Sequence, residues 1–96
     1  MENQLLFCVY DSKVEGYLPP FVAINRPVAI RVFETACLQE ASDFSQHCED
    51  YSLFEVGHYE PGTGKLVAVA VPKQLIQAQQ IINKHLRQVE DHESGI

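Results

Sequence analysis

Residues 51–71 read YSLFEVGHYEPGTGKLVAVAV, and no other stretch of the chain restricts the fold as much. YSLFEVGHY suits a strand, EPGTG supplies two glycines able to take positive φ, and KLVAVAV suits the returning strand. A β-hairpin is therefore expected. Val, Leu and Ala fall on both faces of the second strand, which predicts a central, well-covered position. Pro72 is expected to end that strand and start a helix. Leu75, Ala78/Gln79, Ile82, Leu86 and Val89 then recur at steps of three and four, an apolar stripe with Gln74, Gln77, Gln80 and Lys84 turned to solvent.

Upstream, Gln4 to Tyr10 is rich in aromatic and β-branched residues and reads as a buried strand. GYLPPF excludes a helix and a central strand, because its two prolines fix φ and remove two amide donors. It is left as an extended edge or a rigid loop, with Phe21 to Ile24 able to rejoin a sheet. Asn25-Arg26-Pro27 signals a helix start, since Asn caps and proline suits the first turn. Val28/Ala29, Val32/Phe33 and Ala36/Cys37 form its apolar face, and the helix is expected to end near Gln39. Ser42-Asp43-Phe44-Ser45 is placed to start a short extra turn. The order β–(edge)–α–β–β–α describes an α+β fold: a small, mostly antiparallel sheet with two helices on one face, in a single domain over residues 1–89. The other sheet face is open or paired with a second subunit, so a homo-oligomer is expected.

Composition limits the function classes. A hydrophobic fraction of 46% in 96 residues is enough for one core. The longest apolar run, LVAVAV, is far shorter than a membrane span, and MENQLL has no basic region of the secretory kind. A soluble intracellular protein without membrane partners is expected. The net charge is −6, and the last seven residues, EDHESGI, hold three acidic and no basic residues; residues 90–96 are expected to be a disordered acidic tail.

Chemistry is sparse. No GxSxG, HExxH or phosphate-cradling loop occurs, and Gly64-Lys65 closes a hairpin turn instead of opening a helix. Cys8, Cys37 and Cys48 show no paired spacing and read as small buried hydrophobes. His47, Cys48 and His58 match no close-paired ligand spacing. No enzyme activity, cofactor or metal is expected. Nucleic-acid binding has more to carry it. Lys13, Arg26 and Arg31 share one segment with Tyr10, Tyr17 and Phe21, and cations beside stacking aromatics are the usual recipe for single-strand binding. Against it stands the acidic balance. In the plainer reading, Tyr10, Phe21 and Phe33 are core and the cations ordinary surface.

The strings LFCVYDSKVEGYLPPF, AIRVFETAC and HCEDYSLFEVGHYEPGTGKL resemble the small nonstructural protein of gokushoviruses, tailless single-stranded DNA phages of the Microviridae. Tyr10 to Lys13, Tyr17, Pro20-Phe21, Ala29 to Arg31, Phe33, His47, Glu49 to Tyr51, Leu53-Phe54 and Gly57 fall in that family's order and spacing, over about residues 5 to 66. Cys48 stands where the family pattern has proline, and the Gln-rich C-terminal helix has no counterpart in the resemblance. The resemblance implies a non-enzymatic accessory protein of viral DNA replication or packaging in the host bacterial cytoplasm, with single-stranded DNA and viral or host replication proteins as partners. It supplies no catalytic residues. A competing expectation is an acidic, oligomeric interaction module that binds a replication protein and not DNA.

Overall fold

The computed structural model describes residues 3–94. In chain order the elements are β1 (Gln4–Asp11), β2 (Gly16–Tyr17), β3 (Phe21–Ala23), α1 (Arg26–Cys37), α2 (Asp43–Gln46), β4 (Tyr51–Glu60), β5 (Lys65–Gln77) and α3 (Ala78–Ser94). The strands form one antiparallel sheet in the order β2-β1-β4-β5, and β3 also pairs with β1. This is the α+β fold that the residue pattern predicts.

Local chemistry accounts for most boundaries. The Asn25 side chain accepts from the Val28 amide at 2.9 Å, Pro27 sits in the first turn where no donor is missed, and α1 follows. Ser42 caps α2 by accepting from the Ser45 amide at 3.1 Å, and its hydroxyl donates to the Ala36 carbonyl. Gly64, at φ +75°, closes the β4–β5 turn in a conformation that favours glycine.

The core lies between the sheet and the helices. Phe7, Val9 and Leu53 from the strands meet Ala29, Phe33 and Cys37 of α1 and Ala78 and Ile81 of α3. Phe44 of α2 joins its edge, with ring centroids 5.6 Å from Phe33 and 4.7 Å from Tyr51.

Three expectations need correction. The strand after the hairpin is an edge strand and not a central one: β5 pairs with β4 alone, and Leu66 and Val71 are exposed. A run of Val and Ala on both faces reports strand preference and says nothing about which neighbours the sheet provides. Pro72 does not end the strand either. It lies in a bulge where residues 69–72 have no register partner in β4, so its missing amide costs no ladder bond, and pairing resumes from Lys73 to Gln77. The helix starts instead at Ala78, where the Gln80 side chain reaches back to accept from the Gln77 amide at 2.8 Å. Its buried face is Ala78 and Ile81, while Leu86 and Val89 of the expected stripe are exposed. The acidic tail expected over residues 90–96 overlaps the last turns of α3, whose backbone is described to Ser94. The side chains from residue 90 onward, and residues 95 and 96, lie outside the described residues.

Candidate nucleic-acid interface

Alternation along a strand sends successive side chains to opposite faces. In β1, Phe7 and Val9 enter the core beneath the helices, so Cys8 and Tyr10 fall on the other face. In β4, Leu53 goes inward, and Ser52 and Phe54 go outward. Register then gathers the outward set: Cys8 lies opposite Phe54, and Tyr10 lies opposite both Ser52 of β4 and Tyr17 of β2.

Three rings result. Centroid separations are 4.9 Å for Tyr10–Tyr17, 5.6 Å for Tyr17–Phe54 and 6.0 Å for Tyr10–Phe54. Both pairs with Phe54 are edge-to-face, at 85° and 71°, an arrangement the ring quadrupoles favour. Tyr17 is 48% exposed, while Tyr10 and Phe54 are half-buried. The face opposite the helices therefore carries an aromatic platform with a free rim.

The residues singled out in the sequence divide around it. Tyr10 and Tyr17 meet on the platform. Phe21 does not: it pairs with Phe7 at 5.8 Å and packs against the core on the helix side. Arg26 grips Glu55 with Nε on Oε1 and Nη2 on Oε2, the latter at 3.2 Å, and Glu55 is buried. Arg31 is exposed on α1, two residues from both Ala29 and Phe33, which puts it on the solvent side of a helix that covers the opposite sheet face. Lys13 is exposed in the turn between β1 and β2, where its amide donates to Asp11 Oδ1 at 2.9 Å. The tyrosines converge and the three cations do not. Phe54 is the member the sequence reading missed; its alternation with Leu53 and Glu55 was the available signal.

His47, Cys48 and His58 are likewise separate. The ligand atoms of His47, Glu49 and Asp50 lie within 4.8 Å of one another, whereas His58 Nε2 sits 3.3 Å from Glu60 Oε2.

A family model described as Phage ORF5 protein matches residues 4–81. The chain belongs to this phage protein family. No curated protein and no solved structure matches it. The ORF5 match takes in all five strands and the whole aromatic platform, and it ends at Ile81, the last buried core residue among the described residues.

Proposed function

We propose that this chain is a non-enzymatic accessory protein of gokushovirus-type phages, acting in viral DNA replication or packaging in the host bacterial cytoplasm. Its aromatic sheet face takes single-stranded DNA mainly by base stacking. The observation that carries this reading is the Tyr10–Tyr17–Phe54 platform with Tyr17 at its exposed rim, because base stacking on aromatic side chains is sequence-tolerant and contributes about 1–3 kcal/mol per base. Phosphate contacts play a small part. Arg26 is committed to Glu55, Arg31 lies on the far side, and only Lys13 belongs to a turn adjoining the platform.

Fluorescence anisotropy with a labelled oligothymidine tests the reading. Binding is expected in low salt with a shallow salt dependence, reflecting one or two phosphate contacts. Tyr17→Ala is expected to weaken it roughly tenfold. No binding at tens of micromolar protein in low salt rejects the DNA reading. The second reading, an acidic interaction module for a viral or host replication protein, is favoured by the dispersal of Lys13, Arg26 and Arg31 on a chain of net charge −6.

A further inference from the structure

Residues 47–50, His-Cys-Glu-Asp, take no part in the aromatic platform. His47 caps the end of α2, and the Asp50 amide donates back to the His47 carbonyl at 2.9 Å, so the chain turns tightly between them. Through this turn the His47 imidazole and the Glu49 and Asp50 carboxylates bring one donor atom each within 4.8 Å of one another. Cys48 packs against the core instead. The turn is tied to the end of β1: the Ser12 amide donates to the Asp50 carbonyl at 2.9 Å, and the Ser12 hydroxyl donates to Asp50 Oδ1 at 3.4 Å. His47 and Asp50 thereby line a hollow of about 290 Å³, together with Asp11, Lys13, Val14 and Tyr51.

The other wall of that hollow supplies an independent observation. Asp11 is only 8% exposed, and a buried carboxylate is ordinarily paired with a cation or set on a metal. The Lys13 amide donates to its Oδ1 at 2.9 Å, yet no cationic side chain pairs with it. The ion pairs among the described residues are Arg26–Glu55 and His58–Glu60. Lys13 lines the hollow without an ion pair to Asp11 or Asp50. Asp11, Glu49 and Asp50 thus gather more negative charge than one ammonium offsets, with an imidazole beside them.

We propose that His47, Glu49 and Asp50 bind one divalent transition-metal cation of the zinc class at the mouth of this hollow. Nitrogen and oxygen ligands stand about 2.0–2.2 Å from such an ion, which places donors on a common ion about 3–3.5 Å apart. His47 and Glu49 are exposed, so rotation of their side chains closes the remaining gap. Three protein ligands leave a position for water, and the hollow gives it room. Asp11 acts from behind as the acceptor for that water, the kind of outer partner that orients a ligand and tunes the ion. The imidazole selects the ion: magnesium and calcium favour all-oxygen sites, whereas a mixed nitrogen–oxygen set suits zinc and its neighbours. Spacing alone set His47 beside Cys48 and His58; the fold sets it beside Glu49, Asp50 and Asp11. The inference is independent of DNA binding and of oligomeric state.

Isothermal titration of the full chain, freed of metal by a chelator, with zinc chloride tests it. One ion per chain is expected to bind, and millimolar magnesium is expected not to displace it. His47→Ala and Glu49→Gln alter exposed side chains, and circular dichroism verifies that the fold is intact. Each is expected to raise the zinc dissociation constant about tenfold or more, and Asp11→Asn to raise it by about tenfold through the lost outer contact. Cys48→Ser is expected to leave binding unchanged. A wild type that takes up no zinc at hundreds of micromolar overturns the site. So does binding that is indifferent to both His47→Ala and Glu49→Gln, since the ion then sits elsewhere on the chain. Binding lost in Cys48→Ser overturns it too, because a thiolate is then the ligand.

Discussion

Arg26 illustrates how far a residue's neighbourhood can redirect its chemistry. A cation at the first position of a helix is disfavoured by the helix dipole, and nothing in the local sequence explains it. The explanation lies 29 residues away, in the buried carboxylate of Glu55. A buried carboxylate left without its cation is strongly unfavourable, whereas replacing both partners by apolar groups can be nearly neutral. Arg26→Met is therefore expected to lower the urea midpoint clearly, and the Arg26→Met/Glu55→Leu double variant to recover much of the loss. A double variant as unstable as the sum of its singles would show that the pair does not hold α1 to β4. Tyr10 and Phe54 illustrate the converse. Both residue types suit either a core or a platform, and only the alternation of β1 and β4 against the helices decides between them.

At the scale of elements, the β4–β5 hairpin depends on Gly57. A Cβ built there would stand 2.2 Å from the Val67 carbonyl oxygen and 3.1 Å from the Ala68 Cα, both backbone atoms that cannot swing aside. Gly57→Ala is expected to destabilise the fold by about 1–3 kcal/mol, read as a lower urea midpoint. An unchanged midpoint would mean that the two strands part there at little cost. The hairpin, its turn and the cap of α1 were legible in the sequence because each rests on residues adjacent in the chain. The end of β5 was not. Pro72 normally breaks a strand, and only the bulge opposite Val56 makes it harmless. The start of α3 at Ala78 likewise depends on the Gln77–Gln80 contact, a weaker signal than a proline.

At the scale of the whole molecule, the chain is longer than a sphere of its size. Its radius of gyration is 15.3 Å with extents of 54 × 31 × 21 Å, whereas a compact 96-residue domain is expected near ~12–13 Å. No described helix is long and apolar enough to cross a membrane. On both faces of the sheet the packing is close enough to shape the response to pH. Burial pushes the Cys37 thiol from 9.0 up to about 12, with Cys48 and Glu34 adding to it, and burial raises Cys8 as well. The folded chain thus keeps a proton that the unfolded chain gives up. Stability is expected to be full below about pH 9 and to fall as pH rises towards 12, with Cys37→Ala flattening the fall. Urea midpoints measured from pH 8 to pH 11 check this, and a pH-independent midpoint would count against a buried thiol. The sequence by itself determined the α+β class, the order of the elements and the helix and turn signals, all of which follow from propensities and periodicities between near neighbours. Only the tertiary structure decided that β5 is an edge, that Arg26 is spent on Glu55 and that Tyr10, Tyr17 and Phe54 share a face. Strand order and register join residues tens of positions apart, and no local pattern encodes which strands will be neighbours.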